Sequence, residues 1–169
     1  MDQATLIQNV VQEVMRQIGG GNGASSPLPP SSGSFGVFAD VDAAVAAAAD
    51  SQRKLVAGGL EMRDEIVQLI KRIVVENKNE WARVEFEETK VGRLDHKVAK
   101  LELIPDVPGV EFLKAAAHSG DEGISLDEAA PWGVLGVITP VTHSIPTLTA
   151  NAVNMIASGN AMVVNAHPS

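Results

Sequence analysis

The side chains best placed for chemistry lie in one short polar loop between two prolines, Pro140 and Pro146. The loop carries Thr142 and His143 and follows an apolar run of strand type. In a parallel sheet, the loop after a strand lies at the carboxyl end of the sheet, where such folds bind ligands. The loop therefore predicts a ligand-binding site.

Two absences limit the chemistry of this sequence. It has no cysteine, which removes disulfides, cysteine-based metal sites and a cysteine nucleophile. Its four histidines are scattered and do not form a metal-ligand pattern: His96, His118, His143 and His167. We therefore expect no metal centre, and catalysis through a thiolate would need a residue outside this sequence.

A strand–helix–strand unit positions the polar loop. Gly133–Ile138 is an apolar run typical of a strand, and Thr147–Ser158 has apolar side chains at helical spacing. Gly159-Asn160 is a helix stop, and Ala161–Val164 is a second apolar strand. A unit of about 30 residues is typical of two parallel strands joined by a crossover helix. The fold class is therefore α/β.

Helical patterns precede this unit. Ala43–Ala57 predicts a helix that Asp40 or Asp42 caps and Gly58-Gly59 ends. Three further helices are predicted at Leu60–Asn77, Glu80–Val91 and Leu94–Ile104. Gly92 ends the second of these three. The next stretch is less regular and predicts a short helix at Glu111–Ala117 and a strand at Ile124–Ala130.

Size and composition exclude several classes of protein. With 169 residues, 45% hydrophobic and 20% charged, the chain has the length of one domain and an ordinary globular composition. The net charge of -8, without a basic cluster, argues against a nucleic-acid partner. No apolar run is long enough to span a bilayer, so we expect no membrane partner.

The first 34 residues form a separate segment. The spacing predicts an amphipathic helix over residues 1–18. Its apolar face carries Leu6, Ile7, Val10, Val11, Val14, Met15 and Ile18. Residues 19–34, rich in Gly, Ser and Pro, predict a flexible linker to a folded part at residues 35–169. The helix fits a groove on another protein, or it docks on its own enzyme or an oligomer partner.

The sequence of the strand–helix–strand unit resembles the aldehyde dehydrogenase superfamily. That family carries a P-x-G-V-x-x-x-I-x-P segment, here Pro131–Pro140, followed by a helix and G-N-x-x-V, here Gly159–Val163. The ending Asn165–Pro168 and the stretch Glu88–Arg93 resemble the coenzyme-A-acylating branch. The resemblance implies a Rossmann-like fold, of which this sequence covers a helical lead-in and one strand–helix–strand unit.

The resemblance also implies a role for the polar loop. Thr142 falls where ordinary members place an asparagine that donates to the developing oxyanion, which implies active-site lining with an oxyanion role. The alternative is a loop hydroxyl that caps local backbone. His143 and Ser144 depart from the usual sequence of the family, and His143 is expected to be solvated or to pack in the loop.

Cofactor contacts follow from the same resemblance. Thr139 and Pro140 are implied to supply backbone to the nicotinamide side of NAD. Asn165 occupies the position of a lysine that meets the adenosine ribose in ordinary members, and an amide still bonds a ribose hydroxyl. His167 and Pro168 are implied to flank the adenine or the coenzyme A.

In the acylating branch, microcompartment enzymes carry an extra amino-terminal helix and linker. The resemblance therefore implies that residues 1–18 are an encapsulation peptide, which binds shell or cargo proteins in the lumen of a bacterial microcompartment. The implied enzyme converts a short aldehyde, NAD and coenzyme A to acyl-CoA and NADH, and is a homo-oligomer at full length.

The same resemblance places the cysteine nucleophile beyond Ser169. We therefore expect an amino-terminal fragment that is inactive alone. Two alternatives stay open: a non-catalytic assembly module on a truncated dehydrogenase scaffold, and an ordinary non-acylating dehydrogenase. Asn165 and His167-Pro168 count against the second of these.

Overall fold

The computed structural model describes residues 36–167. The described residues lie in one compact unit. The predicted amphipathic helix, its apolar residues from Leu6 to Ile18, the linker and Pro168 lie outside the described residues. In chain order the helices are α1 Val41–Ala57, α2 Gly59–Thr89, α3 Leu94–Glu102 and α4 Ser144–Ala157, and the strands are β1 Ala116–Gly120, β2 Gly123–Asp127, β3 Val134–Ile138 and β4 Ala161–Asn165.

The predicted strand–helix–strand unit is confirmed. Strands β3 and β4 pair in parallel, with Val134 opposite Ala161 and Ile138 opposite Asn165. Helix α4 connects them, as a parallel pair requires. Beyond the last pair, the amide of Thr139 donates to the carbonyl oxygen of Asn165 at 3.2 Å. We call this end of the two strands the carboxyl edge.

Helix α4 begins at Ser144, three residues before the predicted start at Thr147. Pro146 is the third helical residue, where an amide has no partner within the helix, so a proline is tolerated. The first intrahelical bond runs from the amide of Thr147 to the carbonyl of His143, at 3.2 Å. The polar loop therefore ends before Ser144, and Pro146 lies inside α4 rather than at the end of the loop.

The end of α4 is the predicted Gly159-Asn160 stop. Gly159 has φ +80°, a left-handed conformation that glycine adopts without a Cβ penalty. The amide of Asn160 donates to the carbonyl of Met155 at 2.8 Å. The Asn160 side chain is buried, and its Oδ1 accepts from the amide of Gly133 at 2.9 Å. The helix stop thereby also fixes the start of β3.

The helical lead-in differs from prediction in one main respect. α2 is a single helix of 31 residues, so the predicted division between Asn77 and Glu80 was wrong. No glycine or proline interrupts the segment, and the Asn77 amide group bonds back to the carbonyl of Ile73 at 2.8 Å. α2 ends at Thr89, ahead of Gly92, because Lys90 takes the left-handed conformation with φ 54°.

The other two helices are close to expectation. Asp40 caps α1, since its Oδ2 accepts from the amide of Ala43 at 2.8 Å. α1 therefore starts at Val41, two residues before the predicted start. α3 ends at Glu102, and a 3₁₀ turn at Ile104–Asp106 replaces the predicted final turn.

The core lies where α2, α3 and α4 meet. α2 occupies the centre, with Val67, Val74 and Ala82 almost fully buried. α3 and the turn after it contribute Leu101 and Ile104, and α4 contributes Val153 and Ala157. Spacings of seven and eight residues along α2 and of four along α4 place the buried residues of each helix on one face. The helical lead-in is thus the platform on which α4 rests.

The segment before β3 forms an antiparallel hairpin. β1 and β2 pair from Ala116 with Asp127 to Gly120 with Gly123. The helix predicted at Glu111–Ala117 was wrong, since only Val110–Phe112 forms a 3₁₀ turn. Local alanine content favours a helix, but pairing across a two-residue turn outweighs that preference. All ten residues of the hairpin strands are exposed.

Among residues 36–167, no helix is both long enough and apolar enough to cross a bilayer.

Candidate active-site loop and cofactor edge

The structure brings together two of the predicted cofactor residues, Thr139 and Asn165. Thr139 and Asn165 lie side by side at the carboxyl edge, joined by their backbone hydrogen bond. Thr139 is buried, Pro140 is half-buried, and Asn165 is exposed. His167 is exposed two residues further along. The backbone just after β3 and the exposed amide side chain of Asn165, at the end of β4, therefore lie at the same edge.

A cleft of about 800 Å³ lies along the two strands, next to this edge. Its walls include Val163 and Val164 of β4, Ile138 of β3, and Asp40 near the start of α1. Asn165 also lines it. The cleft is mostly apolar with a few polar groups, which is typical of a small-molecule site.

Thr142 has an exposed side chain and a restrained backbone. Its Oγ1 lies 2.6 Å from Nδ1 of His143, so the hydroxyl hydrogen-bonds to the neighbouring ring. Its carbonyl oxygen accepts from Nζ of Lys97 at 3.1 Å. The oxyanion role of Thr142 stays a prediction, because its hydroxyl is bonded to His143 in this structure and would have to turn away to donate to a substrate oxygen.

A buried ion pair lies beneath this loop, and sequence reasoning missed it. Nζ of Lys97 on α3 is 2.9 Å from Oε2 of Glu85 on α2. Both side chains are 2% exposed. Charged side chains are almost never buried unless they are paired, so this pair has a specific structural role.

The second oxygen of Glu85 holds the first turn of α4. Oε1 accepts from the hydroxyl of Ser144 and from the amide of Ile145, each at 3.0 Å. The residue that precedes the helix, His143, makes no capping bond with its side chain. A carboxylate at a helix amino terminus satisfies free amides and complements the helix dipole. Glu85 therefore supplies from α2 the cap that α4 lacks locally.

The hydrogen bonds decide the ionisation of Glu85. Burial raises the pKa of this carboxyl. The hydrogen bonds from Lys97, Ile145 and Ser144, together with the charge of Lys97, lower the pKa by more than burial raises it. The net pKa lies below its ordinary value, so Glu85 is ionised at neutral pH.

This shift makes a prediction about acid stability. Because the folded pKa of Glu85 lies below the unfolded pKa of about 4.3, its contribution is complete above that pH and is lost as pH falls below it. We expect the stability of the wild type relative to a Glu85→Met/Lys97→Met variant to fall as pH falls between about pH 5 and pH 3, whichever protein is the more stable at neutral pH. Melting temperatures of both proteins across this range measure it. A difference that is constant with pH would contradict the assignment.

One sequence signal pointed to Glu85. It lies eleven residues after Val74 and three after Ala82, on the face of α2 that carries the buried apolar residues. The neighbouring glutamates hid this signal, because Glu80, Glu87 and Glu88 are all exposed. Lys97 gave no such signal in a short helix with charged neighbours.

A second cleft, of about 400 Å³, runs along α4 from His143. Pro146 and Ala150 line one wall, and Leu103 and Val107 line the other. Within residues 36–167, no three His, Cys, Asp or Glu side chains are grouped so as to hold a metal ion.

Comparison with known proteins identifies the family. Residues 36–169 match the model of the aldehyde dehydrogenase family, so the chain belongs to that family. Its described part is the amino-terminal region of an aldehyde dehydrogenase fold.

Similar proteins come from the acylating branch. An acetylating acetaldehyde dehydrogenase of Bilophila wadsworthia is 40% identical over 137 residues, which cover 80% of this chain and 28% of the relative. A CoA-propanoylating propanal dehydrogenase of Citrobacter freundii is 28% identical over 165 residues, which cover 97% of this chain and 34% of the relative. The chain thus spans about a third or less of these relatives.

Two solved structures are also similar. One is a propionaldehyde dehydrogenase from the fucose-utilisation bacterial microcompartment of Clostridium phytofermentans, with 37% identity and a TM-score of 0.76 over 79% of this chain and 31% of that chain. The other is the propionaldehyde dehydrogenase of Rhodopseudomonas palustris with bound CoA and an acylated cysteine, with 38% identity and a TM-score of 0.77 over 80% and 31%.

Proposed function

We propose that the protein carrying this chain is a CoA-acylating aldehyde dehydrogenase, which converts a short aldehyde, NAD and coenzyme A to acyl-CoA and NADH. The observation that carries the proposal is the likeness to a propionaldehyde dehydrogenase that holds CoA and an acylated cysteine. The relatives with acetylating and CoA-propanoylating activities support the same reaction class.

In this reaction a cysteine thiolate, supplied outside these 169 residues, attacks the aldehyde carbon, and coenzyme A later releases the acyl group. NAD accepts the hydride when it is bound. The loop after β3 presents Thr142 to the oxygen of the aldehyde, where negative charge develops. Thr139 and Pro140 offer backbone to the nicotinamide, and the Asn165 amide bonds the adenosine ribose. His167 and Pro168 would flank the adenine or the coenzyme A.

The direct test uses the full-length protein with short aldehydes. NADH formation is followed by absorbance with and without coenzyme A, and the thioester is identified by mass. We expect NADH to form at a sustained rate only when coenzyme A is present. Equal rates without coenzyme A, with a carboxylic acid as product, would show an ordinary aldehyde dehydrogenase.

Asn165 provides a test of the cofactor edge. Asn165→Asp places a carboxylate beside the site proposed for the anionic dinucleotide, and repulsion of about 1 kcal/mol should raise the Kd for NAD about fivefold. Turnover at saturating NAD should change less. Asn79→Asp, which adds the same charge on the exposed face of α2, is the matched control. A loss confined to turnover would place Asn165 away from NAD.

We also propose that residues 1–18 direct the protein into a bacterial microcompartment through shell or cargo proteins. The Citrobacter propanal dehydrogenase aligns with 97% of the chain and therefore includes most of this segment. The similar Clostridium structure is a microcompartment enzyme. A one-sided apolar helix on a linker fits a groove on a partner.

Residues 1–34 fused to a soluble reporter should co-purify with microcompartments. Replacing Leu6, Ile7, Val10 and Val14 by serine should abolish this, because it removes the apolar face. The control replaces Gln8 and Gln12, on the polar face, by serine and should retain targeting. Co-purification of the apolar-face variant at the control level would reject the proposal.

A homo-oligomer is the expected state of the full-length enzyme. The β1–β2 hairpin supports this, since its strands have unpaired edges and Ile124 and Leu126 are exposed by 78% and 61%. Exposed strand edges with apolar side chains favour pairing with another chain.

A further inference from the structure

Three hydrogen bonds join the Glu85–Lys97 pair to three residues of the four-residue stretch from Thr142 to Ile145. Lys97 holds the carbonyl of Thr142, and Glu85 holds the hydroxyl of Ser144 and the amide of Ile145. These four residues span the turn from the polar loop into α4. The pair therefore fixes the backbone on both sides of His143, although its own members lie on two other helices.

Stability alone does not explain a buried charge pair here. α2 and α3 already pack through Val74 and Leu101, and they share a second ion pair, Lys78 with Glu102, at 2.6 Å. Apolar residues of similar volume in place of a buried ion pair are often as stabilising or more so. Glu85 and Lys97 differ from the Lys78–Glu102 pair in two ways: they are buried, and they contact the loop.

We propose that Glu85 and Lys97 are positioning residues for the reaction at the carboxyl edge, which rests on the proposed function. Lys97 holds the Thr142 carbonyl against α3, so that the Thr142 hydroxyl stays on the open side of the loop. Glu85 keeps the first turn of α4 from shifting along its axis. Displacements of about 1 Å in such groups can cost about a hundredfold in rate.

The pairing also controls the charge near the reacting oxygen. A lone carboxylate at Glu85 would oppose the negative charge that develops on the aldehyde oxygen. Lys97 neutralises it at 2.9 Å while leaving both oxygens bonded. The loop thus gains the hydrogen-bond acceptor that α4 needs without a net negative charge.

The test compares two double variants in the full-length enzyme. Glu85→Met/Lys97→Met removes the pair and all three loop contacts, while Lys78→Met/Glu102→Gln removes the other ion pair between the same helices. We expect the first to lower kcat at least tenfold with the KM for NAD changed less than twofold. We expect the second to leave both within twofold. Equal kcat values in the two variants would overturn the proposal.

A conservative variant separates positioning from general loss of structure. Glu85→Gln/Lys97→Met keeps an oxygen that accepts from Ile145, so its kcat should recover part of the loss. If Glu85→Met/Lys97→Met fails to fold, the kcat of this conservative variant is compared with the wild type in its place. A kcat for this variant as low as that of the methionine pair, together with an unchanged melting temperature in both, would contradict the role assigned to the Glu85 acceptor.

A second readout does not depend on activity. Hydrogen exchange at the Ile145 amide should become at least tenfold faster in the methionine pair and stay unchanged in the Lys78/Glu102 control. If the wild type reduces NAD without coenzyme A, the proposed function fails while this exchange still decides whether the pair fixes the loop. Unchanged exchange at Ile145 would reject the positioning role whatever the reaction.

Discussion

Replacing Lys97 alone by methionine should lower the free energy of unfolding by about 3–5 kcal/mol, because it leaves the Glu85 carboxylate buried without its counter-charge. The side chain of Glu85 is 2% exposed, so water cannot replace the lost ammonium. Urea unfolding of the full-length protein, followed by tryptophan fluorescence, measures the loss. Trp81 lies one turn before Glu85 and packs against the core, so its emission reports on this region.

The matched control is Lys78→Met, which breaks the partly exposed pair with Glu102. Pairs of this kind contribute about 0.2–1 kcal/mol. Adding Glu85→Met to Lys97→Met should recover much of the loss, because no buried charge then remains. A Lys97→Met variant as stable as the control would mean that Glu85 reaches water or binds a proton instead.

The 169-residue chain by itself should form no NADH from aldehyde, NAD and coenzyme A. It contains no cysteine, so the covalent step has no nucleophile. The full-length protein at the same concentration is the positive control. Sustained CoA-dependent NADH formation by the 169-residue chain would show that the reaction uses a nucleophile within it.

The isolated chain should also melt broadly and bind dyes that recognise apolar surface. Parallel strands are normally covered on both faces, whereas β3 and β4 form a two-stranded sheet with half-buried Val163 and Val164. Helix content should remain high, since α2, α3 and α4 share their own core. A sharp two-state melt of a monomer would contradict this expectation.

The strand–helix–strand unit was predictable because each of its signals is local. Apolar runs bounded by turn residues gave β3 and β4, and Gly159-Asn160 gave the end of α4. Parallel pairing followed from the length of the connection. The hydrogen bond between Thr139 and Asn165 is a consequence of that parallel pairing and was not itself predicted.

The remaining features depend on contacts between distant residues. The hairpin β1–β2 overrides the helical preference of its alanines only because residues 123–127 pair with them. The polar residues Lys78 and Asn79 suggested a break in α2, but Lys78 instead bonds Glu102 on α3. Glu85 and Lys97 are twelve residues apart in sequence, and nothing local in the sequence connects them to Thr142.

The cap that Glu85 provides for α4 has a consequence for the order of folding. It joins residues 59 and 60 positions apart, whereas an ordinary helix cap lies within its own first turn. Such non-local closure is slow compared with helix formation. During synthesis α2 and α3 leave the ribosome first and can dock before Ser144 emerges. The polar loop and the first turn of α4 therefore form against helices that precede them in the chain.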